Sequence, residues 1–301
     1  MIVGVDVGGT NIRLGTVDSS GGLYREELQS SRQQNGGNVA EYLLRHLQSY
    51  ISSSQDVKAV SIGFPSTIDK DRQRLINTPN LPGLNNIPIK DLYEKALGLP
   101  VFIGKDATML LYHDLYRLQI KDRGIIVGVY IGTGIGNSII INGKELVGND
   151  GVACELGHIP VIGRHDICSC GLTGCLELYA GGKALERISK EAFPTTPINE
   201  VFQRHGDAEP ILQFISDIAD GVIIEINILN PSYIVLGGGV LQMEGFPREK
   251  LKRTILERTR RPVPGDALNI VFSDNSGPYN GVIGAALYAS RQLESFRSEM
   301  G

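Results

Sequence analysis

Apolar residues at Ile2, Val3, Val5 and Val7 stop at Gly8-Gly9 and resume at Ile12, Leu14 and Val17. That pattern predicts strand, tight turn, strand, with Asp6 and Thr10 near the tip. From Val39 to Ile51 the apolar positions Val39, Tyr42, Leu43, Leu47, Tyr50 and Ile51 recur at helical spacing. A short strand follows in Lys58–Pro65, and the polar, proline-containing stretch Asn77–Pro88 reads as a loop. Val101–Ile103 is a further strand, ending at Gly104-Lys105-Asp106. Ala107–Leu118 then reads as a helix with Leu110, Leu111, Leu115 and Leu118 on one face.

A second lobe begins near Arg123-Gly124. Ile125–Ile131, Gly132–Gly136 and Ser138–Ile141 repeat strand, glycine turn, strand, and Asn142-Gly143 signals another hairpin. Helical patterns cover Glu177–Glu191 and Glu209–Leu229. Tyr233–Leu236 is a buried-type strand running into Gly237-Gly238-Gly239. A helix is expected from Pro247, a strand at Leu268–Phe272 and a last periodic segment at Gly281–Leu293. Strand–helix alternation in both halves predicts α/β lobes with a cleft between them, divided as 1–118 and 119–285.

Composition narrows the function. Hydrophobic residues make up 42% and charged residues 21%, the balance of a globular chain, and the formal charge is -4. That charge offers no general attraction to nucleic acid or to an anionic membrane. No run approaches the ~20 apolar residues of a membrane span, and Met1 leads straight into a β-like segment. A cytoplasmic chain without nucleic-acid or membrane partners is expected.

Glycine clusters supply the first candidate chemistry. Asp6, Gly8, Gly9, Thr10 and Asn11 place two glycines, a hydroxyl and a carboxylate at one hairpin tip. Backbone N–H groups there can close around phosphate oxygens, and Asp6 can orient Mg²⁺ or its waters. Taken alone, the same residues also suit a solvated glycine turn. Gly132, Thr133, Gly134 and Gly136 repeat the arrangement, but a strand follows instead of the helix a dinucleotide fingerprint needs, and no Gly-Lys-Ser/Thr closes a P-loop. Gly237 and Gly238 form a third cluster that could seat a nucleoside where a helix begins. Together the three fit an ATP.

All four cysteines lie within 22 residues, and His158, Cys168, Cys170 and Cys175 read His-x9-Cys-x-Cys-x4-Cys. One imidazole and three thiolates suit a closed, structural Zn²⁺ site. Spacing leaves open a chance set of buried thiols, or His165 in place of His158. Cys154 lies outside the pattern and reads as a small buried residue.

With these residues in place, the chain resembles the ROK family (repressors, open reading frames, kinases). Asp6–Arg13 is similar to its DxGGTxxR loop and Gly132–Gly136 to its GTGxG. Glu155–His158 is similar to its ExGH, and Cys168–Glu177 to its CxCGxxGCxE. The likeness runs to Gly281–Ala286. It implies an actin-like, ribonuclease H-like two-lobe ATPase fold with an interlobe cleft and a last helix, 286–301, returning to the first lobe. It implies Asp106 as the general base for the sugar hydroxyl that attacks the γ-phosphate, and Glu155, His158, Glu177 and Asn80 as sugar-binding residues. His158 would serve zinc with one ring nitrogen and sugar with the other. Relatives are commonly dimers, which makes a homodimer a candidate assembly, but the sequence does not fix the oligomeric state.

Two positions depart from the family pattern: Lys105 stands where Asn usually precedes the catalytic Asp, and Cys154 where Gly usually precedes the sugar-binding Glu. The family's repressors carry a helix-turn-helix ahead of the phosphate loop, and Asp6 lies too near the start for one, so a kinase is expected over a sugar sensor. Within the family, Gly63-Phe64-Pro65, Asn77–Pro82, Gly237–Val240, Phe246–Glu249 and Arg260–Pro262 resemble the allose kinase branch, which also has a basic residue before its Asp. The expected reaction is phosphorylation of the 6-hydroxyl of D-allose, with Lys105 reading the sugar; glucokinase, fructokinase and N-acetylmannosamine kinase are the alternatives.

Overall fold

Strand β1 (Ile2–Val7) pairs antiparallel with β2 (Asn11–Val17), Val7 opposite Ile12, which confines the chain reversal to Gly8, Gly9 and Thr10. The computed structural model describes residues 1–31, 38–54, 56–79, 81, 83–273 and 277–300, the last six by backbone alone. The chain divides into two units: Met1–Ile120 with Val147–Ala153 and Ser276–Gly301, and Lys121–Leu146 with Cys154–Asn275. The boundary falls at Ile120, two residues beyond the 118 expected, and the second unit ends before 285.

In the first unit β2 also pairs with β3 (Leu23–Ser30), while β1 runs parallel to β4 (Ala59–Phe64), and β4 to β7 (Val101–Lys105). The sheet order is β3-β2-β1-β4-β7, and β5 (Thr67–Ile68) and β6 (Leu75–Asn77) form a separate ribbon. Every residue of β4 is buried, as a central strand covered on both faces requires. β3 was not foreseen: its LYREELQS sequence alternates partly buried and exposed residues along an open edge, where charged side chains also discourage further pairing. Helix α1 (Val39–Ser52) begins as its apolar periodicity predicts, with the Asn38 side chain accepting from the Ala40 N–H. Helix α2 (Ile89–Leu97), unread in the sequence, ends at Gly98 in the left-handed conformation. Helix α3 (Asp106–Arg117) follows β7 without a loop.

The second unit repeats the plan. Its sheet order is β10-β9-β8-β11-β12, with β8 (Ile125–Ile131), β9 (Ile135–Ile141) and β10 (Lys144–Glu145) antiparallel, and β11 (Tyr233–Gly237) and β12 (Asn269–Phe272) parallel to β8. The helix expected over Glu177–Glu191 is broken at Gly181 into α4 (Glu177–Ala180) and α5 (Gly182–Ala192). After the short α6 (Val201–His205), α7 (Glu209–Leu229) spans the predicted residues and stops at Asn230, again left-handed, ahead of Pro231. Ile211, Phe214, Ile215, Ile218, Val222 and Ile226 on α7 pack into the core with Val127, Val129 and Leu236 of the sheet. The helix awaited at Pro247 is α8 (Arg248–Arg258), and Gly238–Phe246 is a run of turns, so no helix begins directly after Gly237-Gly238.

The last helix, α9 (Asn280–Met300), starts six residues before the expected 286 and packs on α3 and β1 of the first unit. Among the described residues, no helix is long and apolar enough to cross a membrane.

Candidate functional site

In the first unit, the carboxyl ends of the parallel strands carry the acidic candidates. Register sets Asp6 of β1 opposite Gly63 of β4, and Gly63 opposite Gly104 of β7. Asp106, two residues past Gly104, is the first residue of α3, and its Oδ1 accepts the Ala107 N–H at 2.7 Å. A carboxylate there is favoured by the positive end of the helix and stands where open α/β sheets meet their ligands. Asp6 lies 3.6 Å from the Arg13 guanidinium on the paired strand. Burial raises the Asp6 carboxyl above its ordinary value, and Arg13 pulls in the opposite direction.

The hairpin tip beside Asp6 is closed by Gly8 N–H donating to Asn11 O at 2.8 Å and tied to the neighbouring strand by Ser31 N–H donating to Thr10 O at 2.9 Å. Gly9 and Thr10 are exposed at the tip. Lys105 directs Nζ to the Ala153 carbonyl at 3.3 Å. Asn80 lies outside the described residues.

In the second unit, the β8–β9 turn is held by its own Gly132 N–H to Gly134 O bond at 3.0 Å and from outside by α5. Gly182 N–H donates to Gly132 O at 2.8 Å and Lys183 N–H to Thr133 O at 3.0 Å. These two donors were not foreseen; the Gly181-Gly182 pair inside an apparently continuous helix was the signal for them. A Cβ at Gly132 would meet nothing within 4 Å, whereas one at Gly134 would stand 2.5 Å from Glu177 Oε2. The glycine turn and Glu177 are therefore immediate neighbours. Gly238, with φ +96°, lies against Ile131, where a Cβ would come within 2.4 Å of the Ile131 carbonyl oxygen. Packing inside the unit accounts for that glycine.

Glu155 is exposed and precedes a short 3₁₀ turn, Leu156–His158, closed by His158 N–H donating to Glu155 O at 2.9 Å. The turn sets His158 Nδ1 4.0 Å from Glu177 Oε1 and 3.8 Å from Cys168 Sγ. Cys168 Sγ lies 3.5 Å from Glu177 Oε1, and Cys170 and Cys175 hold their sulfurs 3.6 Å apart. All four ligand atoms lie within 4.8 Å of one another.

This donor set fits a tetrahedral zinc: Zn–S of about 2.3 Å and Zn–N of about 2.0 Å require donor separations of roughly 3.5 to 3.8 Å. Burial and the neighbouring sulfurs push Cys175 up to about 12, and burial raises Cys168, while the Leu172 N–H lowers the exposed Cys170. His165 is exposed and outside the cluster. Cys154 is half-buried and also outside the cluster, with its Sγ 3.7 Å from Leu146 O. Its backbone is left-handed at φ +65°, a conformation that glycine adopts without the steric cost of a Cβ.

The ROK family profile matches residues 2–292. A glucokinase of Thermotoga maritima is 28% identical over 264 residues, which is 79% of this chain and 82% of the relative. The ROK hexokinase of Thermus thermophilus superposes with a TM-score of 0.80 at 29% identity, covering 98% of this chain and 99% of the other. A ROK glucokinase of Streptomyces griseus, solved with glucose and AMPPNP, gives 0.78 at 27%, covering 96% and 99%. The doubled α/β sheet, the paired glycine hairpins and a match spanning nearly every residue lead to one conclusion: the chain belongs to the ROK family, as a sugar kinase of the actin-like, ribonuclease H-like two-lobe fold.

Proposed function

We propose that the protein transfers the γ-phosphoryl group of ATP to the 6-hydroxyl of D-allose, giving allose 6-phosphate, in the cytoplasm. Asp106 aligns that hydroxyl and takes its proton; as with other phosphoryl transfers, positioning contributes more than covalent chemistry. The N–H groups around Gly8, Gly9, Thr10 and Asn11, together with Gly132, Thr133, Gly134 and Gly136, receive the phosphates, and Gly237-Gly238 borders the nucleoside. Asp6 holds Mg²⁺ or its waters; the cation neutralises charge on the transferring group.

Glu155, His158 and Glu177 bind sugar hydroxyls, with Asn80 and Lys105 beside them. His158, Cys168, Cys170 and Cys175 hold a structural Zn²⁺. With Nδ1 toward the thiols, Nε2 is the His158 nitrogen left for the sugar. Zinc would then keep Glu177 and His158 in fixed relation, because Cys168 touches both.

The choice of allose rests on Lys105, a basic residue directly ahead of Asp106 where the family usually has Asn. Allose differs from glucose in the axial hydroxyl at C3, so the group that reads O3 or O4 should differ. A site built for one epimer rejects the other by leaving polar groups unpaired. A glucokinase is the second reading, supported by the similarity to the Thermotoga enzyme. The test is kcat/KM for allose, glucose, fructose and N-acetylmannosamine with ATP, in the wild type and Lys105→Asn. Allose is expected to lead, and Lys105→Asn to narrow its margin over glucose. Glucose or N-acetylmannosamine ahead by tenfold would refute the allose assignment.

A further inference from the structure

Helix α7 carries a stripe of three residues, Asp217, Gly221 and Glu225, spaced four apart and so on one face. Each meets a different part of the site. Asp217 Oδ1 lies 3.6 Å from Arg164 in the cysteine-rich segment. Gly221 admits Leu176, the residue before Glu177: a Cβ there would come within 2.4 Å of Leu176 Cδ2. Glu225, 8% exposed, accepts from Asn137 Nδ2 at 3.1 Å.

Asn137 directly follows Gly136 and is 2% exposed. Its Nδ2 also donates to Gly128 O, on the partner strand, at 3.0 Å. Both amide hydrogens are thus committed, one across the hairpin and one to the helix. The orientation is fixed too, because a reversed amide would set its oxygen against the Gly128 carbonyl. The α5 N–H groups hold Gly132 and Thr133 on one flank of the turn; the Asn137 amide holds the other. Both bonds lie in the interior, where water cannot replace a lost partner.

We infer that Glu225, through Asn137, is a positioning residue for the glycine turn of Gly132–Gly136, so that α7 braces the nucleotide loop with the same face that supports Glu177 and the cysteine segment. The inference rests on the reading of that turn as a phosphate-binding loop. Glu225 touches no reacting atom; it acts by fixing the strand from which the turn projects. A displaced turn should weaken ATP and leave the sugar largely unaffected.

Steady-state kinetics of the intact enzyme, with ATP and the best hexose each varied, test this. Glu225→Leu, which removes the acceptor, is expected to raise the KM for ATP tenfold or more, with kcat and the hexose KM changed less than threefold. Glu225→Gln keeps an acceptor oxygen and should stay within threefold of wild type throughout. Asn137→Ala should show the same split as Glu225→Leu, and serves if the leucine variant does not fold. Equal rises in both KM values, no rise for ATP, or a glutamine variant as impaired as the leucine one overturns the inference. Gly132→Ala, whose Cβ enters open space, separates the two levels. If it raises the ATP KM and Glu225→Leu does not, the brace alone fails; if it leaves the ATP KM unchanged, the phosphate reading fails and the brace with it.

Discussion

Asp6, on β1, and Asp106, directly after β7, stand at the same end of one sheet, with only β4 between the two strands and Asp6, Gly63 and Gly104 in register across them. At the usual strand spacing, Asp6 and Gly104 lie about 10 Å apart across the sheet. Two carboxylates so placed can take different tasks, and their environments differ. Asp6 faces the Arg13 guanidinium at 3.6 Å, whereas Asp106 is the first residue of helix α3 and accepts the Ala107 N–H.

Asp106→Asn keeps the side-chain shape and an oxygen for the Ala107 N–H, so the fold and hexose binding should persist. Turnover should fall by about 10²–10⁴-fold, the usual contribution of a general base. Thermal unfolding, hexose titration and kcat measured on one preparation check this. A variant that keeps a tenth of wild-type kcat would remove Asp106 from the mechanism.

Gly134→Ala should impair the enzyme, because its Cβ would stand 2.5 Å from Glu177 Oε2 and one of the two must move. Both KM values are expected to rise, since the turn and the carboxylate share that contact. A rise for ATP alone would separate Glu177 from sugar binding.

Metal analysis of the purified protein should find about one zinc per chain. Cys170→Ser should lower zinc content, melting temperature and hexose affinity together. Cys154→Ser should leave zinc content unchanged, since Cys154 turns to the Leu146 carbonyl. Full activity and stability in a zinc-free preparation would rule out a structural metal.

Burial raises the Glu225 carboxyl from 4.5 to about 7. Below pH 4.5 both folded and unfolded chains hold the proton, and stability is unaffected. As pH rises from 4.5 to 7 the unfolded chain ionises first, so the folded state loses stability, by up to about 3 kcal/mol once Glu225 also ionises. Glu225→Gln carries no such proton. Its unfolding free energy relative to wild type should therefore increase between pH 5 and pH 8 in urea titrations. A constant difference across that range would show that Glu225 titrates normally.

Much of the site was legible because its parts are local. The tips at Gly8–Thr10 and Gly132–Gly134 follow from glycines between apolar strands, and the metal cluster draws all its ligands from 18 consecutive residues, although spacing left His158 and His165 both open and only the fold chose His158. The bounds of α7 were equally plain, since Pro210 and the Asn230-Pro231 stop frame an unbroken apolar period. What the sequence left undecided depends on partners far along the chain. Edge strand β3 announces itself by no apolar run and forms because β2 offers it a ladder, and the break at Gly181 has meaning only when Gly182 meets Gly132, fifty residues earlier. Asn137 and Glu225, 88 positions apart, carry no motif. Their bond exists because packing brings α7 onto the β8–β9 hairpin and encloses two polar groups that must then satisfy each other.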